Sequence, residues 1–337
     1  MNSFGRIFRV NIFGESHGEC VGVILDGVPA GLSLSADDFL FDMERRKGGK
    51  QKGTTPRQEA DIPIFKSGIF NGNSTGFPVT ILFENNNTRS EDYQKQRSIP
   101  RPGHADWVAH QKFGGNEDYR GGGHFSARLT TGLVAAGVIA KKIMSSVHIN
   151  ATIIEVGGET DIEKGLQKAI DAKDSVGGII ECKVNGLPVG LGEPYFDSLE
   201  SVLSHMLFSI PAVKGIEFGS GFQAAKMFGS KHNDIIENME GKTITNHAGG
   251  IVGGISNGNE LIFRIAIKPT SSTPKEQASL NWDTEQVEKF SVKGRHDLCV
   301  ALRAPVIVEA STALVLADMM LLEQRIPRIM PPTPKGE

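Results

Sequence analysis

Apolar residues along this chain follow two rhythms, and each rhythm predicts a kind of element. Phe8, Val10 and Ile12 alternate with polar neighbours, and Val21 to Leu25 forms a continuous apolar run closed by Asp26-Gly27. Both read as strands, joined by the polar turn Gly14-Glu15-Ser16-His17-Gly18. Val79 to Phe83 predicts a further strand ended by Asn85-Asn86-Asn87, and Leu261 to Ile267 alternates as another. The second rhythm is helical. Ser35 with Asp38 three residues on resembles a capping box, opening a helix through Phe39, Leu40 and Met43 to about Arg46. Leu133, Val134, Val138, Ile139 and Ile143 recur at three- and four-residue steps, so the Ala-rich stretch to about Met144 predicts a helix with one buried face. Pro305, near the start of the last apolar run, suits the first turn of a helix to about Leu322.

The second half echoes the first. Gly27-Val28-Pro29-Ala30-Gly31 and Gly186-Leu187-Pro188-Val189-Gly190 each follow a short apolar strand. Each also precedes a predicted helix, Ser35 to Arg46 in one case and Asp197 to Phe208 in the other. The shared strand–turn–helix order points to an internal duplication. The chain then reads as a single domain with two pseudo-repeated halves, about 1–150 and 151–326, and its site where they meet. The tail 327–337, with Pro331 and Pro332, reads as frayed.

Between these elements lie polar segments with candidate chemistry. Arg120-Gly121-Gly122-Gly123-His124-Phe125-Ser126 runs straight into the Ala-rich helix. Glycines there either let the backbone approach an anion at a helix start or simply make a loop before a core helix. Asn246 to Gly254 is a second glycine-rich loop. Arg45 to Arg57 holds Arg45, Arg46, Lys47, Lys50, Lys52 and Arg57 without an apolar period. It reads as a solvated charged face or as a mobile basic lid over an anionic ligand. Thr88 to Gly115 is a long polar loop carrying Arg97, Arg101, His104 and Asp106, and Trp107, Val108 and Phe113 at its end favour an ordered, functional one. Lys268-Pro269-Thr270-Ser271-Ser272 closes a strand as a phosphate clasp or a polar turn.

Composition narrows the picture. The 337 residues contain 40 glycines, about 12% against a typical ~7%, scattered among short polar loops rather than in a repeat. A net charge of −3 gives no reason to propose nucleic acid or membrane as partner. Cys20, Cys182 and Cys299 are far apart, and no residue set has metal-ligand spacing, so no metal site is expected. No secretory signal opens the chain and no apolar run approaches a membrane span, which reads as cytoplasmic and soluble. The loops supply His17, His104, His124, His247 and His296, hydroxyls at Ser16, Ser126, Ser271 and Ser272, many cations, and few carboxylates besides Asp106 and Asp297. That inventory suits a polyanionic ligand and proton transfers near neutral pH.

These loops also carry a resemblance. Phe13-Gly14-Glu15-Ser16-His17-Gly18, Asp26 to Gly31, Arg101-Pro102-Gly103-His104-Ala105-Asp106, Asp118 to Gly123, Asn246 to Gly250, Lys268 to Ser272 and Gly294-Arg295-His296-Asp297 occur in order. Over nearly its whole length the sequence resembles the chorismate synthase family. The resemblance implies conversion of 5-enolpyruvylshikimate 3-phosphate to chorismate and phosphate, a 1,4-elimination and the last step of the shikimate pathway. It also implies reduced FMN without net redox change, with NADPH only as an indirect source of electrons. The implied fold is α+β, a β-α-β sandwich with a helical layer between two antiparallel sheets and an internal pseudo-twofold duplication, assembled as a homotetramer.

Carried over by position, the resemblance makes His17, His104 and Asp297 catalytic, with Ser16 and Ser126 relaying protons. His17 would assist phosphate departure, His104 would face the flavin pyrimidine edge, and Asp297 would serve flavin N5. His124, Phe125, Ser126, His247, Ala248, Gly253, Lys268, Pro269, Thr270, Ser271, Ser272 and Arg295 match cofactor positions. Arg46 and Lys52 match positions for a nicotinamide nucleotide; their charge suits substrate carboxylates or phosphate equally, and that use is the preferred reading. His124, Phe125 and Leu129 depart from the commoner Gly-Arg-Ser-Ser-Ala-Arg-Glu-Thr pattern. His124 therefore either replaces an arginine that faces a phosphate or merely opens the helix. A trimmed loop is expected between Ser272 and Lys293, and no flavin-reductase domain is visible, so the reductant comes from outside the chain. Two rival readings are a flavin oxidoreductase with true nicotinamide turnover and an RNA-binding module using the basic stretch around Lys50.

Overall fold

The computed structural model describes residues 2–49, 52–57, 59–88, 97–292 and 296–331. Two antiparallel sheets and a set of buried helices make up the fold. The first sheet contains β1 (Ser3–Phe4), β2 (Arg9–Gly14), β3 (Cys20–Asp26), β4 (Ile64–Ser67) and β7 (Val79–Glu84) in the order β1-β2-β3-β7-β4. The hairpin β5 (Ile69–Phe70) and β6 (Asn73–Ser74) precedes β7. The second sheet contains β8 (His148–Val156), β9 (Gly178–Asn185), β10 (Val213–Phe218) and β13 (Leu261–Ile267) in the order β10-β13-β9-β8. A hairpin, β11 (Ile251–Val252) and β12 (Ile255–Ser256), precedes β13 in the same way.

The helices of eight residues or more among the described residues are α1 (Asp37–Arg46), α2 (Asp106–Phe113), α3 (Thr130–Ile143), α4 (Ile162–Ala172), α5 (Leu199–Leu207) and α6 (Pro305–Leu322). Helix α3 packs on β3 and β7, on α1 and on α6, while α6 packs on β8, β9 and α5. The sequence predicts one buried face for α3. Instead Thr130 to Ala140 are all buried, because a sheet covers one side and α6 the other. Small residues allow that approach: a Cβ on Gly137 would stand 2.3 Å from the Cβ of Ala310. Helix α6 is also buried nearly throughout, and by length and composition it is apolar enough to cross a membrane, against the expectation of no such run. Its two carboxylates serve the interior. Glu309 accepts both Nη atoms of Arg45 at 2.7 Å, and Asp318 accepts the backbone N–H groups of Arg6, Ile7 and Phe8 at 2.7–2.8 Å.

The two Pro-containing turns are built alike. Ser74 Oγ donates to Pro29 O and accepts from Leu32 N, at 2.5 and 2.9 Å. Ser256 Oγ donates to Pro188 O and accepts from Leu191 N, at 2.7 and 2.9 Å. The long polar loop expected over Thr88 to Gly115 contains helix α2, whose C-terminal Gly114 takes the left-handed conformation (φ 60°). Residues 89–96 of that stretch lie outside the described set. Between Ser272 and Lys293, where a trimmed loop is expected, the chain forms the hairpin β14 (Gln277–Asn281) and β15 (Gln286–Phe290). The start of the predicted frayed tail is paired: Met330 N donates to Ala30 O at 2.8 Å, and Ala30 N donates to Arg328 O at 3.1 Å. Residues 332–337 of the tail lie outside the described set.

Candidate active site

The glycine loop lies against two histidines. Gly121, Gly122 and Gly123 all take positive φ (60°, 83° and 52°), which side-chain-bearing residues rarely adopt. A Cβ on Gly121 would stand 2.6 Å from His17 Cδ2 and 2.7 Å from His17 Nε2. A Cβ on Gly122 would stand 3.3 Å from His104 Cε1 and 3.4 Å from His104 Nε2. These glycines bring the backbone up to the imidazoles. The loop also holds the turn that carries His17. Ser16 N donates to Gly123 O at 3.1 Å, and His124 Nδ1 donates to Gly14 O at 2.9 Å.

His104 is fixed from the other side. Its Nδ1 lies 2.5 Å from Asp106 Oδ1, and because an ionised carboxylate only accepts, that nitrogen carries the proton. Arg101 binds Asp106 through Nε and Nη2, both at 2.8 Å. Burial pushes the His104 ring below the ordinary histidine range, with the Asp106 hydrogen bond opposing it. For Asp106 burial acts upward, but the hydrogen bonds from Arg101 and His104 win and hold its carboxyl well below the usual range. Arg101 Nη1 donates to Ser272 Oγ at 3.0 Å, and Lys268 Nζ donates to Gly103 O at 2.8 Å, so the strand end Lys268–Ser272 is tied to the His104 loop.

Ser16, His17, Arg46, His104, His124, Phe125, Ser126, Lys268 to Ser272 and Asp297 line one cavity of ≈ 730 Å³. Among its described lining residues, eight Lys and Arg side chains (Arg46, Lys47, Arg57, Arg101, Arg128, Lys214, Lys268, Arg303) face three carboxylates (Glu59, Asp61, Asp297). Phe4, Ile12, Leu133 and Met206 add apolar wall. The cavity fits a ligand, or two ligands together, with several anionic groups and an apolar ring system. Thr270 Oγ1 is buried without a hydrogen-bond partner, a donor left for such a ligand.

Other predicted residues take different places. Arg46 ends α1 and is buried on Asp61 at 2.6 Å, and Arg128 binds the other oxygen of Asp61. Burial lowers the Arg46 guanidinium to about 10 despite Asp61, and Arg45 is bound to Glu309, so this end of the basic segment is neither a solvated face nor a lid. Lys52 bonds Gln167 Oε1 at 3.0 Å and does not line the cavity. His247, Ala248 and Gly253 do not line it either; Asp234 accepts the backbone N–H groups of His247 and Ala248 at 2.8 and 2.9 Å. Both ring nitrogens of His124 are engaged, Nε2 with Asn2 Oδ1 at 3.2 Å, so the residue does more than open a helix. Asp297 accepts from Arg303 at 3.0 and 2.5 Å and from Thr55 N at 2.9 Å. Arg295 lies outside the described residues. Sequence reasoning missed Asp61, Glu59 and Arg303, and Arg57 stood out only as part of a charge run. Arg57 binds Ser16 Oγ at 3.0 Å and Glu59 at 2.7 Å. Among the described residues no His, Cys, Asp or Glu group is placed to hold a metal.

A family model described as chorismate synthase matches residues 8–321. The chain belongs to the chorismate synthase family. It is 67% identical over 330 residues to the chorismate synthase of Chitinophaga pinensis, covering 98% of this chain and 99% of that one. Against the chorismate synthase of Dehalococcoides mccartyi the identity is 45% over 361 aligned positions, with 98% and 99% coverage. A crystal structure of chorismate synthase superposes with a TM-score of 0.72 at 25% identity, covering 95% of this chain and 93% of that one. Family membership over this length makes the chain a carbon–oxygen lyase.

Proposed function

We propose that the cavity eliminates phosphate from 5-enolpyruvylshikimate 3-phosphate to give chorismate, with reduced FMN and no net redox change, as the last step of the shikimate pathway. The observation that carries this is the placing of His17 and His104 against consecutive glycines, Gly121 and Gly122, on a single cation-rich cavity. The residues present fit the cofactor: Lys268, Ser271, Ser272 and the unpartnered Thr270 hydroxyl provide donors, and Phe125 and Leu133 provide apolar wall. When bound, reduced FMN supplies electron density to the substrate and a site for the ring proton, the hard part of the reaction.

The protein's own groups bind, orient and handle protons. His17 protonates or neutralises the departing phosphate oxygen, with Ser16 beside it held by Arg57. His104, with Nδ1–H on Asp106, lines the cavity beside Gly122, and its Nε2 would exchange a proton with a flavin bound there. Ser126 and Asp297 complete the proton path. Arg46 belongs to the structure around Asp61 on this reading, and the remaining cavity cations hold the substrate anions. The fold reads as a β-α-β sandwich with two pseudo-twofold halves in a single domain. Support comes from the matching strand orders β2-β3-β7-β4 and β8-β9-β13-β10 and the matching Ser74 and Ser256 turns.

The assembly is a homotetramer in the cytoplasm, supplied with reduced flavin from outside the chain and with NADPH only an indirect electron source. Exposed Phe196, Phe222, Phe228 and Met239 support burial between copies. His247, Ala248 and Gly253 then serve a neighbouring copy's cofactor, which accounts for their absence from this cavity. Reductant stoichiometry tests the function: far less than one NADPH consumed per chorismate supports a lyase, and one per product supports an oxidoreductase instead.

A further inference from the structure

Hairpin β14–β15 reaches over the segment that leads into His104. Trp282 N donates to Ser98 O at 3.0 Å, Trp282 Nε1 donates to Arg97 O at 3.0 Å, and Ser279 Oγ donates to Pro100 O at 2.6 Å. Three carbonyls just before Arg101 are thus held by one hairpin. The Trp282 ring also grips the other flank of the histidine: it stacks on Trp107 at 5.7 Å and lies tilted against His110 at 4.5 Å, both on α2, which begins at Asp106. A second cavity of ≈ 470 Å³ lies under the ring and shares Arg101, His104 and Phe125 with the first. The wall that presents His104 therefore has open space behind it, and the hairpin closes that space.

We propose that Trp282 is a positioning residue for His104, a role that rests on the lyase reading above. It clamps residues 97–100 to the start of α2, and through them fixes the Arg101–Asp106 pair that orients the imidazole. Trp282 lines the second cavity and not the first, where the substrate and flavin are proposed to bind. Its effect falls on turnover, because a displacement near 1 Å at a catalytic group costs about 10²-fold in rate. Trp107 and Trp282 are the chain's two tryptophans, so their stacking gives an exciton couplet in the far-ultraviolet circular dichroism.

The test measures phosphate release from 5-enolpyruvylshikimate 3-phosphate under anaerobic conditions with chemically reduced FMN. Wild type is run first, and absence of turnover there overturns the functional reading and this role with it. With wild type active, Trp282→Ala is expected to lose the couplet and about 10- to 100-fold in kcat, with KM within about 3-fold. Trp282→Phe, which keeps a ring for stacking, is expected to recover most of the rate. On a His104→Ala background, Trp282→Ala is expected to cost nothing further, since both changes disable one group. Should Trp282→Ala fail to fold, Ser279→Ala, which removes the hairpin's bond to Pro100 O, carries the same comparison. Full kcat in folded Trp282→Ala or Ser279→Ala, or an undiminished loss on the His104→Ala background, overturns the proposal alone.

Discussion

Replacing Gly121 by alanine should disable the site without touching a ligand. The new Cβ would stand 2.6 Å from His17 Cδ2, 2.7 Å from Nε2 and 3.0 Å from Ser16 Oγ. Carbon contacts settle at about 3.5–4.0 Å, so the imidazole must move by about 1 Å. Such a shift of a catalytic group costs about 10²-fold, or ~2.7 kcal/mol of barrier. The same substitution places alanine at φ 60°, a left-handed conformation costing about 1–2 kcal/mol of stability. At ~2.1 cal/mol/K per residue over 337 residues, that lowers Tm by only about 1.5–3 °C. Gly122→Ala is the control, because its φ of 83° carries similar strain while its Cβ would stand 3.3 Å from His104. It should lose a similar Tm but no more than about 5-fold in rate, as the neighbour yields by tenths of an ångström. Anaerobic phosphate release and thermal denaturation are measured on both. Equal rate losses, or Gly121→Ala above half of wild-type turnover, would refute the claim that the glycine serves His17.

His17→Ala and His104→Ala should keep the wild-type Tm within a few degrees and lose about 10²- to 10⁴-fold in turnover; more than half activity in either removes it from the mechanism. Asp61→Asn should cost about 3–5 kcal/mol in chemical denaturation, because it breaks the pairing of the buried guanidiniums of Arg46 and Arg128. Burial acts to raise the Asp61 pKa, but the two arginines outweigh it and the folded value lies below the ordinary one. The pair's stability is therefore present above about pH 3.9 and is lost as pH falls through the depressed folded value, and Asp61→Asn should flatten that acid limb. His124→Arg should leave flavin and substrate affinity curves parallel to wild type across neutral pH, since the ring is held by Gly14 and Asn2. A flattened curve would restore a phosphate-facing role for His124.

Periodicity located β2, β3, β7, β13, α1, α3 and α6, because each carries its own apolar pattern. It gave the wrong burial for α3, since a second covering layer is a property of the partner elements and not of the helix. Helix α2 lay hidden in a polar loop because it buries only Ala109 and so has no apolar period of its own, and its Trp107 meets Trp282 across more than 170 residues. Histidines and glycines announced the site, as their clustering in loops has few structural explanations. Asp61 and Arg303 were silent, for a single Asp or Arg looks the same in sequence whether it is solvated or buried in an ion pair. The basic segment misled for the same reason: Arg46 has the charge of a substrate clamp and the environment of a core ion pair.

The most direct test mixes the purified chain anaerobically with chemically reduced FMN and 5-enolpyruvylshikimate 3-phosphate, then follows phosphate, chorismate and flavin together. The account predicts one phosphate and one chorismate per substrate, with many turnovers per flavin and the flavin still reduced at the end. No phosphate release, or oxidation of one reduced flavin for each product formed, would contradict it.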